Sequence, residues 1–148
     1  MRTVILCGFD GFGKLFESQI RKSLQLAEDY PASLFSMDSE EYSAALDAFK
    51  TIQKQVSKLK KEKFGTEVCP EKQEWVILLD DIHSPSAENM MMILKSEAKD
   101  DRAMIAGGLS YPAMMAAVRF SDSVDDLGEL KKSIEAENTE SLQIILTR

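Results

Sequence analysis

The chain has 148 residues, 25 of them acidic and 18 basic, for a net charge of −7. That balance argues against a nucleic-acid binder, which needs a basic face, and 44% apolar with 29% charged residues is the mix of a soluble globular protein. The length suits one domain, residues 1–148, and no run approaches the roughly 20 apolar residues of a membrane span.

The apolar, β-branched run TVILC (3–7) predicts a strand covered on both faces. It breaks at GFDGFG, and Asp10 interrupts it too soon for a signal peptide, so a cytoplasmic protein with a reduced, buried Cys7 is expected. Cys69 lies in an unrelated context and makes no paired motif with it. Phe16, Ile20, Leu24 and Ala27 recur at helical spacing and predict a helix over 14–28. Pro31 introduces a second strand, ASLFSM (32–37). Ser39, followed by Glu40 and Glu41, predicts the cap of a long helix whose apolar stripe is Ala45, Phe49, Ile52, Val56 and Leu59. Lys58, Lys60, Lys61 and Lys63 gather at its end and read as a solvated terminus that suits the helix dipole. Residues 64–74 read as loop.

WVILL (75–79) predicts a third strand ending at Asp80 and Asp81. A helix follows over 86–98, then a fourth strand, AMIAGG (103–108). Ser110 and Pro112 open a short helix. Leu127, Leu130 and Ile134 mark a last helix, and LQIIL (142–146) a fifth strand. Met90, Met91, Met92, Met114 and Met115 read as core and neighbouring helix surface. Alternating strands and helices predict a doubly wound α/β fold: a mostly parallel sheet of about five strands with helices on both faces. Ligands bind beyond the carboxyl ends of such strands. The loops over 8–13, 80–89 and 107–112 are therefore expected to meet at one pocket.

Three phosphate chemistries fit part of this pattern. Gly8, Gly13 and Lys14 have the GxxxxGK spacing of a nucleotide loop, but Leu15 stands where Ser or Thr would bind magnesium. The glycines run GxxGxG rather than the GxGxxG of a dinucleotide site, which leaves Asp38 a weak ribose ligand. Asp81 could serve as a receiver aspartate, but only Asp10 follows the first strand, and such a site needs a cluster of acids.

A fourth pattern spans nearly the whole chain. DIHSPSAEN (81–89) aligns without a gap to D-L-F-G-G-S-P-x-N, GLSYPAMM (108–115) resembles G-V-N-L-P-M-L, and Phe12 with Gly13 resembles the end of an H-G-x-F-A loop. These three segments, in order, resemble the mannose-type IIA components of the bacterial phosphoenolpyruvate-dependent sugar phosphotransferase system. SDSVDDLGELKKSI is similar to the late helix of that family, and the region between strands two and three is longer here. The resemblance implies a doubly wound fold and a cytoplasmic homodimer. Its implied partners are the phosphocarrier HPr and a sugar-specific IIB or permease subunit, without nucleic acid, metal or other cofactor.

The resemblance also implies a site. Asp81, Ser86 and Asn89 fall on the family's Asp, Ser and Asn. The acceptor histidine, whose neutral imidazole is the nucleophile, corresponds to Phe9, or to Asp10 if the alignment shifts by one. The family's glycine pair becomes Ser84-Pro85, its proline Ala87, and its fourth-loop Asn Ser110. His83, the only histidine in the chain, is either a relocated acceptor or a loop histidine, and the second reading is the better supported. Asp81 either orients His83, caps the following helix or remains as part of the family site. Asp10-Gly11 is common turn chemistry. Phosphotransferase activity therefore stays open, beside a non-catalytic pocket that binds a partner or small ligand.

Overall fold

The computed structural model describes residues 2–8, 11–26, 33–65, 73–140, 144 and 146. In chain order they form β1 (Arg2–Gly8), α1 (Phe12–Ser23), β2 (Leu34–Asp38), α2 (Tyr42–Phe64), β3 (Glu74–Leu79), α3 (Pro85–Glu97), β4 (Arg102–Gly107), α4 (Tyr111–Phe120) and α5 (Leu127–Glu140). Phe9, Asp10, Ala27, Ala32, Cys69 and most of the expected fifth strand (142, 143 and 145) lie outside the described residues. The sheet among the described residues has four strands rather than about five, all parallel, in the order β2-β1-β3-β4.

Side chains alternate across a strand, and the two buried strands show it. Ile5 and Cys7 of β1, with Trp75, Ile77 and Leu79 of β3, face a core built from Ala45, Phe49, Ile52 and Val56 of α2 and Ala87, Met90 and Ile93 of α3. Val4, Leu6, Val76 and Leu78 face the other side, against Ile20 of α1, Ala113, Met114 and Ala117 of α4, and Leu130 and Ile134 of α5. Helices thus cover both faces, as the doubly wound reading expected. Trp75, the only tryptophan, packs on Phe49 with ring centroids 5.0 Å apart and donates its indole N–H to Asp101 Oδ2 at 2.9 Å. Met90 and Met114 are core, whereas Met91 and Met92 of the same apolar run are exposed.

Several boundaries differ from the sequence reading. Ser39 is not the cap of α2; the helix starts three residues later, after Glu41, with no side-chain cap bond. Ser39 is instead buried, and its N–H donates to Gly8 O at 2.9 Å, extending the β1–β2 ladder by one rung. A serine followed by two glutamates satisfies the local capping pattern equally well, and the neighbouring strand decides between the two uses. α1 is shorter than expected, because Leu24 closes it and Gln25 turns to a φ of 56°. α3 begins one residue early, at Pro85, capped by Ser84, whose Oγ accepts from Ala87 N at 3.3 Å. Ser110 caps α4 in the same way, Oγ accepting from Ala113 N at 3.2 Å.

Candidate functional site

The chain runs from β1 outward to β2, returns to β3 on the other side of β1, and continues to β4. The reversal falls between β1 and β3, where doubly wound sheets open a crevice at their carboxyl ends. Four connections reach this end: those after β1, β2, β3 and β4. Hydrogen bonds join them. Gly11 N donates to Asp38 Oδ1 at 3.2 Å, so Asp38, at the end of β2, holds the connection after β1. Gly108 N donates to Asp80 O at 3.0 Å, joining the connections after β3 and β4. Their backbones touch: a Cβ on Gly107 would lie 2.6 Å from Ile82 N, so only glycine admits this approach.

Asn89 completes the frame from inside α3. Its Nδ2 donates to Ser39 O at 2.8 Å and to Glu40 O at 3.0 Å, tying α3 to the connection after β2. Asn138, near the end of α5, accepts from Ser110 N at 2.7 Å and holds the connection after β4. Sequence reading missed Asn138 as a site element, because nothing local distinguishes a helical asparagine from its polar neighbours.

Asp81 is exposed. Its Oδ1 accepts from His83 N at 2.9 Å, and its carbonyl accepts from Ser84 Oγ at 2.7 Å. This is an aspartate-led turn of the kind that bonds its own backbone two residues on. The carboxylate therefore faces a main-chain N–H rather than the His83 imidazole. His83 is exposed beside it. Ser86 is only 3% exposed, and its hydroxyl makes no hydrogen bond among the described residues. Helix N-termini attract anions through free N–H groups, but Ser84 and Pro85 reduce that supply at α3, one by capping Ala87 and one by lacking an N–H. Ser110 and Pro112 do the same at α4.

Cys7 lies beneath the crevice. Burial pushes its thiol far above the ordinary cysteine range, and the negative charge of Asp80 pushes it the same way. The Ser39 hydroxyl, which has no oxygen or nitrogen partner, sits beside the sulfur and offsets this in part. Cys7 is thus a protonated core thiol, not a nucleophile. It is expected to resist a thiol reagent such as 5,5′-dithiobis-(2-nitrobenzoate) at pH 8 in the native protein and to react fully in denaturant. Rapid native modification of Cys7, located by peptide mass, would count against this placement.

Among the described residues, no three His, Cys, Asp or Glu side chains are placed to hold a metal ion. No helix among them is long and apolar enough to cross a membrane.

No protein-family model and no curated protein matches the chain. Solved structures do. The phosphotransferase system component EIIA of Streptococcus agalactiae superposes with a TM-score of 0.68 over 97% of both chains at 14% identity. The PTS IIA protein associated with the fucose utilization operon of Streptococcus pneumoniae superposes with a TM-score of 0.66 at 14% identity, over 97% of this chain and 92% of its own. The chain has the fold of phosphotransferase-system IIA components. At this identity the likeness is one of backbone architecture. On that IIA fold, Asp81, His83, Ser86, Asn89 and Ser110 all lie at or just beyond the carboxyl ends of β3 and β4. Asn89 and Ser110 hold backbone, Asp81 shapes its own turn, and His83 carries the chain's single imidazole.

Proposed function

We propose that this chain is a mannose-type IIA-like component of a bacterial sugar phosphotransferase system. It would act as a single cytoplasmic domain that engages HPr and a sugar-specific IIB or permease subunit through a pocket that does not itself take up the phosphoryl group. The observation that carries the second half is the turn at Asp81. A phosphohistidine site needs a carboxylate set against an imidazole nitrogen, and Asp81 Oδ1 instead accepts a backbone N–H from His83. Phe9 supplies no nucleophile, Asp10 offers only an acyl phosphate, and Cys7 is protonated and buried.

A second reading has one observation in its favour: His83 is exposed at the same end of the sheet, two residues past Asp81. Incubation with phosphoenolpyruvate, enzyme I and HPr, followed by intact mass measurement, separates the two. No added phosphate is expected. A stoichiometric gain abolished by His83→Ala would make His83 the acceptor and overturn the non-accepting pocket. A gain surviving that change would place the phosphate on Asp10 or Asp81, which single substitutions distinguish.

The same reading makes the protein a homodimer. Ile144 and Leu146 are 83% and 95% exposed, two residues apart on one face of the expected final strand. Within the described residues, β4 pairs on one side only. A sheet edge needs cover, and so does an exposed apolar pair of this kind. Light scattering is expected to give twice the 16.6 kDa chain mass, and a monomer mass at micromolar concentration would oppose it.

A further inference from the structure

The longest helix carries a feature that neither the IIA fold nor the site uses. Residues 50–63 of α2 contain six lysines against Glu62 alone, a local charge of +5 in a chain of −7. Lys50, Lys54, Lys58 and Lys61 are all exposed, and none is paired with an acid. Their spacing of four, four and three places them within about 80° of arc and along about 16 Å of helix. Ala45, Phe49, Ile52 and Val56 of the same helix are buried in the core. Lys61 lies in the last turn and suits the helix dipole, but like charges four apart on a helix oppose its stability, so Lys50, Lys54 and Lys58 are not explained by the folding of α2. Among its described side chains Val56 is the last in the core, and the final two turns, with Lys58 and Lys61, run on beyond it.

We infer that this lysine row is a docking surface for the acidic face of a partner protein. Charge complementarity sets the sign of the partner. Among the described side chains, the neighbouring exposed positions are Thr51, Gln55 and Ser57, with no arginine and no aromatic, so these positions lack the stacking and bidentate groups of a nucleic-acid reader. Among the described side chains the row also lacks the exposed apolar groups that anchor a helix in a bilayer interface. The large exposed apolar residues among those described, Leu15, Ile82, Met91, Met92, Phe120, Ile144 and Leu146, all lie outside α2. A row one side chain wide, bounded by Asp47 and Glu62, fits a local acidic patch better than an extended anionic plane.

The test is titration of the isotope-labelled protein with a poly-L-glutamate peptide at low ionic strength, read as amide shifts. Saturable binding is expected, with the largest shifts over residues 50–61 and release by high salt. Replacing Lys50, Lys54, Lys58 and Lys61 together by glutamine should weaken it at least about tenfold. The same four-charge change at exposed Lys22, Lys95, Lys99 and Lys132 should leave it nearly intact. Circular dichroism confirms that both variants are folded, and the wild-type shift map tests the surface without them. No binding, shifts centred elsewhere, or equal loss in both variants would overturn the inference. Tighter binding of the row to phosphatidylglycerol vesicles or to duplex DNA would overturn it too, by assigning a different class of partner.

Discussion

Replacing Gly13 by alanine is expected to destabilise the protein by about 3 kcal/mol or more, because the added carbon has no room and the obstacle is main chain. A Cβ at this position would collide with the Leu6 carbonyl oxygen and come within 3.3 Å of Met37 O. Gly13 lies in the first turn of α1, so the glycine lets the helix rest directly on β1 and β2. An alanine must lift the helix, and with it Ile20 from a core in which it is fully buried. Two other glycines separate clash from backbone strain. Gly11 has a φ of 75° and open space around it, so Gly11→Ala should cost only the roughly 1–2 kcal/mol of a left-handed residue. A Cβ at Gly8 would meet Phe12 from its own Cβ outward, 3.1 Å at that atom, so Gly8→Ala must shift a ring that packs on Phe16 and should cost more than Gly11→Ala. Urea unfolding followed by Trp75 fluorescence measures all three. Equal losses at Gly13 and Gly11 would show that α1 has slack against the sheet.

Loss of the Arg2 guanidinium should be of similar size. Arg2 is 7% exposed, and its NH1 and NH2 groups donate to the carbonyls of Ser121, Val124 and Asp125 at 2.6–2.9 Å. Its Nε lies 3.3 Å from Glu74 Oε1, an ion pair without hydrogen-bond alignment. The residue thus ties the first strand to the connection between α4 and α5 and to the start of β3. Arg2→Leu keeps the apolar stem but leaves three carbonyls without their donor and Glu74 without its counter-charge, a change expected to cost about 3–5 kcal/mol. Arg2→Lys should recover less than half of that, since an ammonium on a flexible stem cannot reach three carbonyls in the geometry of a planar fork. If Arg2→Lys matches wild type in urea, charge alone and not the fork holds this connection.

How much of this was legible beforehand differs by element. β1 and β3 are unbroken apolar runs, and a strand covered on both faces tolerates that pattern, so helices on both sides of the sheet could be read directly. The stripe of α2 and the Ser-Pro openings of α3 and α4 also carry their meaning locally, through helical spacing and capping chemistry. Ser39 did not, because its amide serves a carbonyl on another strand, 31 residues earlier in the chain. Of the site, Asp81 and His83 were legible as residues at a strand's carboxyl end. Their relation was not: whether a carboxylate meets an imidazole or a main-chain N–H depends on the turn between them.

The sequence by itself determined the alternation of strands and helices, the apolar stripes of the helices, and the ends of the strands where a site can form. These follow from hydrophobic period and turn chemistry, which act between near neighbours and leave a record at each position. Only the tertiary structure decided the order β2-β1-β3-β4 and the contact of Ile82 with Gly107. It also decided the bonds from Asn89 to Ser39 and Glu40 and from Ser110 to Asn138. Each joins groups distant in the chain, and a polar side chain carries no local mark of the distant backbone group that will satisfy it.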